Sequence, residues 1–171
     1  MKNVFFALFC LVATSAFAQS EDDAIKSTIT AYTDGFTKGD SASINRAFLS
    51  NALLRNLNAS TGKITDMTLR KFVAGMPAGG AKATGALLTY SYAGTSAVAT
   101  VEFKFADFKY IDLLSLIKVN GDWKIVCRVF SRVGLDENLT SSNVTGKSTS
   151  SKAAPAPAKK AVAKPKADDG W

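Results

Sequence analysis

The 171-residue chain is 47% hydrophobic and 20% charged, with 21 lysines and arginines against 14 acids and a formal charge of +7. That length holds one ordinary domain with flanking segments, and the apolar share can bury a core, which excludes wholesale disorder. There is no histidine, which excludes an imidazole base, Ser-His-Asp and Cys-His nucleophiles and His-ligated zinc.

Residues 1–18 read as an export signal. Lys2 supplies the positive start, and Val4 to Ala13 forms an apolar run with Phe5, Phe6, Leu8, Phe9, Leu11 and Val12. Ala16-Phe17-Ala18 follows as a small-x-small cleavage site, so the mature chain is expected to begin at Gln19. A membrane span needs about 20 apolar residues, and this run is shorter. The expectation is a protein exported to the periplasm or the exterior of a bacterium, with no transmembrane segment in its mature form. Cleavage removes Cys10 and leaves Cys127 as the mature cysteine. The domain then has no internal disulfide, and Cys127, inside an apolar strand, reads as a small buried hydrophobe. Asn58-Ala59-Ser60, Asn138-Leu139-Thr140 and Asn143-Val144-Thr145 match the N-glycosylation pattern, which matters only in a eukaryotic secretory pathway.

Helices come first in the domain, expected over residues 19–139. Ile25, Ile29, Tyr32 and Phe36 form a helical stripe within Glu21–Lys38. Its opening acids Glu21, Asp22 and Asp23 suit the positive end of the helix dipole. Gly39 ends this helix, and Asp40 caps a second through Ile44, Ala47 and Phe48. Asn51–Asn58 reads as a strand with a short return at Lys63-Ile64. Asp66 then caps a third helix holding Leu69, Phe72 and Val73, which Gly75 and Pro77 end. The Gly79-Gly80 pair marks a loop; its flanks fit no phosphate-binding pattern.

Strands follow. Ala83–Ala93 and Ala97–Phe105 are separated by Gly94-Thr95-Ser96, and Lys109–Val119 and Trp123–Arg132 by a turn at Asn120-Gly121. Asn-Gly between apolar runs predicts a type I′ hairpin, because both residues tolerate positive φ. Helices followed by an antiparallel sheet give an α+β fold. A regular hairpin sets Leu116 against Ile125, Leu114 against Cys127 and Asp112 against Val129. One face then carries Asp112, Leu114, Leu116, Trp123, Ile125, Cys127 and Val129. The other carries Ile111, Leu113, Ile117, Val126 and Phe130 mixed with Ser115, Lys124 and Arg128. A sheet apolar on both faces needs cover on both. Helices cover one, and a second copy of the chain is the expected cover for the other, so a homodimer is predicted.

Residues 140–171 are dominated by Ser, Thr, Ala, Pro and Lys. Such a segment buries too little apolar area to offset its ordering entropy, and is expected to be disordered. Its six lysines against two aspartates carry most of the basic charge, leaving 19–139 at only +2. This argues against nucleic acid as a partner, which would call for basic residues concentrated on a folded face. The scattered acids and the lack of a thiol or imidazole cluster predict no metal site, and no cofactor is implied.

Ala31-Tyr-Thr-Asp-Gly-Phe-Thr-Lys-Gly-Asp40, with the order of elements around it, resembles the NTF2-like superfamily. Tyr110-Ile-Asp-Leu-Leu-Ser-Leu-Ile-Lys-Val-Asn-Gly-Asp-Trp-Lys-Ile125 resembles its exported bacterial branch labelled "putative lumazine-binding" or SnoaL-like. The likeness spans about residues 22–133. It implies a conical pocket between about three N-terminal helices and a curved antiparallel sheet, often in a dimer. In the ketosteroid isomerases of this superfamily, a first-helix tyrosine and a protonated late-strand aspartate form the oxyanion hole. Tyr32 and Asp112 fall on those positions. The catalytic base of those enzymes falls on Asn56, an amide that cannot take a proton from carbon.

Asp112 among leucines pays a desolvation cost when ionised, which favours its neutral form. Beside the Tyr32 hydroxyl it would offer a pair of donors to a carbonyl or phenolate oxygen in an apolar cavity. The alternative at this position is a core-organising hydrogen bond. Phe36, Asn56, Leu114 and Leu116 complete the expected ligand-binding set, with Tyr90 and Phe103, for each of which a core role is the default reading. The leading functional expectation is therefore a non-catalytic binder of a small apolar or aromatic molecule. The alternatives are a small isomerase, dehydratase or cyclase using Tyr32 and Asp112, and an interaction module with a filled pocket.

Overall fold

The structure, a computed structural model, describes residues 21–58 and 61–140. The chain divides into a unit Met1–Asn138 and a unit Leu139–Trp171. All the secondary structure described belongs to the first. The export signal lies outside the described residues, as does the expected disordered tail beyond its first residue, Thr140.

Helix α1 covers residues 21–38. Its stripe is the core face: Ile25, Ile29 and Tyr32 are fully buried and Phe36 packs against them. Its first turn is pinned to the sheet by acids. Glu21 accepts from the Trp123 indole Nε1 at 2.8 Å and pairs with Lys118, and Asp22 accepts from the Tyr90 hydroxyl at 2.7 Å. These bonds hold the Glu21 carboxyl below its ordinary value, the Lys118 bond contributing most. Beyond the helix, Gly80 (φ +86°) lies so close to Thr37 that a Cβ there would stand 2.2 Å from the Thr37 carbonyl oxygen. Only glycine lets this loop close over the helix end, where Ala81 N–H reaches the Phe36 carbonyl.

Helix α2 (Ser41–Ala47) is capped by Asp40, whose carboxylate accepts from the Ala42 and Ser43 amides at 3.0 and 3.2 Å. Phe48, expected as the end of this helix, instead opens strand β1 (Phe48–Asn58). The return strand β2 (Lys63–Thr68) is six residues long. Asp66, expected to cap the third helix, lies within β2 and forks onto Arg55 at 2.6 and 2.8 Å. Thr68 caps α3 (Leu69–Ala74) instead, its hydroxyl accepting from Lys71 N–H. Long-range pairing outweighs local preference in both places: Phe48 pairs with Ile125 near the C-terminal end of the chain's strands, and β1 and β2 pair in register through Leu53↔Thr68.

Strands β3 (Thr84–Ala93), β4 (Ser96–Lys104), β5 (Lys109–Val119) and β6 (Asp122–Val133) complete a six-stranded sheet of order β2-β1-β6-β5-β4-β3. The sheet is mixed rather than wholly antiparallel, because β1 pairs with β6 in parallel. The β5–β6 turn is as predicted, with φ of +52° at Asn120 and +92° at Gly121. Val119↔Asp122 and Leu116↔Ile125 pair as expected.

The register then slips by one residue. Ser115 pairs with Cys127, Leu114 with Arg128 and Asp112 with Phe130. Val126 is the extra residue of a β-bulge, which reverses the parity of everything after it. Cys127 and Val129, expected inside, turn outward; Val129 is 43% exposed and Cys127 is half-buried. Arg128, expected outside, turns in and is 3% exposed. The core on this inner face contains Phe103, Leu114, Leu116, Trp123 and Ile125, all buried. Burial of Phe103 or Ile125 contributes roughly 1.5–3 kcal/mol each.

Candidate functional site

Tyr32 from α1, Asp112 from β5 and Arg128 from the shifted part of β6 meet inside the domain. The Tyr32 hydroxyl donates to Asp112 Oδ2 at 2.5 Å. Arg128 donates from Nε to the same oxygen at 2.7 Å and from Nη2 to Oδ1 at 3.0 Å. Asp112 is completely buried, and the Arg128 side chain is 4% exposed. Both carboxylate oxygens are engaged, and no fully buried side-chain nitrogen or oxygen among the described residues lacks a partner.

This corrects the expected chemistry of Asp112. It receives three hydrogen bonds where it was expected to donate one. The desolvation cost is met by a bidentate guanidinium that sequence pairing had assigned to the opposite face. Burial holds the Tyr32 hydroxyl well above the ordinary tyrosine range; the Arg128 charge opposes this and Asp112 reinforces it. Tyr32 therefore stays a protonated donor. Burial disfavours the Arg128 cation, yet Tyr32 and Asp112 outweigh it and hold that group above its ordinary value.

Aromatic rings enclose the triad. Tyr32 meets Phe48 and Phe103 edge-on at 5.1 and 5.2 Å. Phe36 packs on Phe103 at 4.8 Å and stacks with Phe72 at 5.5 Å. The Arg128 guanidinium carbon lies 3.9 Å from the Phe130 ring centre and 5.5 Å from that of Phe72. Side chains, rather than the expected hollow, surround Asp112. A cavity of about 430 Å³ is instead found on the outer face of the sheet, over Thr89, Val98, Thr100, Leu113, Ser115 and Val129. Another, of about 440 Å³, is lined by Asn45, Ser50, Leu69, Arg70, Val73 and Ala74. Neither is lined by Tyr32, Asp112 or Arg128.

Of the expected site residues, Tyr32, Phe36, Phe103, Asp112 and Leu114 share this interior. Leu116 is buried farther along, opposite Ile125. Asn56 alternates with buried Ala52 and Leu54 on the inner face and is half-buried, with no hydrogen bond to the triad. Tyr90 lies apart from the triad, anchoring the start of α1 through Asp22, and it and Leu114 are among the residues lining the cavity of about 430 Å³. Arg128, Phe48, Phe72 and Phe130 were missed. The available signal was Asp112 itself, since a carboxylate in an apolar row calls for a cationic partner. The described residues hold no cluster of acids and thiols suited to a metal, and no helix long and apolar enough to cross a membrane.

Helices packed on one face of a curved mixed sheet define an NTF2-like fold, and three solved structures bear this out. An NTF2-like protein of unknown function from Shewanella baltica OS155 is 24% identical, with a TM-score of 0.59, covering 66% of this chain and 94% of its own. One from Silicibacter pomeroyi DSS-3 is 21% identical at TM-score 0.59, covering 67% and 98%. One from Methylobacillus flagellatus KT is 22% identical at TM-score 0.59, covering 66% and 92%. The family model described as "Putative lumazine-binding" matches residues 20–131, and the chain belongs to that family within the NTF2-like superfamily. No functionally curated protein matches this sequence.

Proposed function

We propose that this protein binds a small, flat, apolar or aromatic molecule on the inner face of its sheet and performs no chemistry on it. One observation carries the reading. The buried ring set around Tyr32 continues, through Arg128 and Phe130, into half-buried rings at the end of the same face: Tyr110 lies 5.7 Å from Phe130, and Phe105 and Phe108 pack on Tyr110. Partly exposed aromatic faces next to polar groups suit a planar ligand. Catalysis finds no support in the triad, whose acid is already fully paired, or in Asn56. The family description names lumazine, a planar bicyclic dione, which serves as a probe.

The test is native mass spectrometry of the purified full chain for a co-purified small mass, with calorimetric titration of lumazine and naphthalene derivatives. A retained mass or saturable binding supports the reading. A mass-clean protein that binds no planar probe overturns it.

Export is part of the proposal, since residues 1–18 carry the signal pattern. So is a homodimer. Val98, Leu113, Ile117 and Val129 are 38–55% exposed on the outer face of the sheet, an apolar strip flanked by Lys124 opposite Ile117 and Arg55 opposite Val129 that a second copy could cover.

A further inference from the structure

Alternation along β6 after the bulge puts Arg128, Phe130 and Arg132 on the inner face, where they pair with Leu114, Asp112 and Tyr110 of β5. Two guanidinium groups thus bracket an aromatic cluster. Arg128 lies over Phe130, and Arg132 lies over Phe108 with its guanidinium carbon 3.9 Å from the ring centre. Phe108 stacks on Phe105 at 4.5 Å and meets Tyr110 edge-on at 5.3 Å.

Arg132 is the cation of the two that stands within reach of a ligand. Asp112 takes Nε and Nη2 of Arg128, and no hydrogen bond engages Nη1. That side chain is only 4% exposed and stays with Asp112. Arg132 is 59% exposed, and its acidic neighbour, Asp107, is 3.9 Å away and 76% exposed. Such a loose surface pair yields readily to a better anion. A guanidinium offers its in-plane donors to a carboxylate or enolate while its face stacks on a ring.

We propose that this end of the inner face recognises a flat aromatic molecule bearing an acidic oxygen. The ring lies against Tyr110 and Phe130, and the anionic oxygen is received by Arg132. The proposal rests on the small-molecule reading above and narrows it from apolar or aromatic ligands to aromatic anions.

Calorimetric titration of the full chain with 2-naphthoate and 2-naphthamide tests it, because the two share a ring system and differ in charge. Naphthoate is expected to bind at least about tenfold more tightly, with a preference that shrinks as salt rises. Arg132→Gln is expected to cut naphthoate affinity about tenfold and leave naphthamide unchanged, while Phe130→Leu weakens both. Equal binding of the two probes, or naphthoate binding indifferent to Arg132→Gln, overturns the anion assignment and leaves the small-molecule reading standing. Failure of both probes to bind overturns the platform itself, and co-purified mass and lumazine binding then decide the broader reading separately.

Discussion

Asp112 and Arg128 are each costly to bury and affordable only together. Two hydrogen bonds from one guanidinium and one from the Tyr32 phenol meet the carboxylate's needs, and removing either charge strands the other where water cannot reach. Arg128→Met and Asp112→Leu are each expected to lose about 3–5 kcal/mol, whereas the double variant should lose much less, since no ion is left unpaired. Tyr32→Phe removes one charge-assisted hydrogen bond and is expected to cost about 1.5–3 kcal/mol. Urea denaturation of the wild type, the two single charge variants and the double variant forms a double-mutant cycle, and Tyr32→Phe is measured beside it. Simple addition of the two single losses would contradict the pairing.

At the level of elements, the Val126 bulge decides which side of β6 faces inward. Deleting Val126 is expected to remove the bulge while keeping Leu114↔Arg128 and the triad, because the pairs beyond it need no further shift. Inserting one alanine after Val126 should turn Arg128 outward and strand Asp112, at a cost of about 3–5 kcal/mol. Denaturation midpoints of the two variants check this. An insertion no more damaging than the deletion would show that parity along β6 does not place the arginine. The shift also explains the outer strip, since it is what puts Val129 beside Leu113 on that face.

For the whole molecule, the sheet has one face covered by α1 and one bearing exposed Val98, Leu113, Ile117 and Val129. Analytical ultracentrifugation at micromolar concentration is expected to give a dimer. Leu113→Lys should give a monomer with an unchanged circular dichroism spectrum, because that side chain is already 53% exposed and its loss leaves the core intact. A wild-type monomer would leave the strip uncovered and remove the dimer.

Local pattern determined much of this protein. The 3.6-residue stripe of Ile25, Ile29, Tyr32 and Phe36 defines α1, Asn120-Gly121 defines the last hairpin, and the alternation of Asp112, Leu114 and Leu116 defines the inner face of β5. These are legible because each is a short-range steric or periodic constraint. Tertiary structure alone decided the partner of Asp112, the parallel pairing of β1 with β6, and the strand identity of Phe48 and Asp66. Val126 is an ordinary strand residue with no local mark of a bulge, and one unpaired residue reverses the parity of every side chain after it. Which parity prevails is settled by a long-range requirement: a carboxylate excluded from water must meet its cation, and the strand bends to bring Arg128 in.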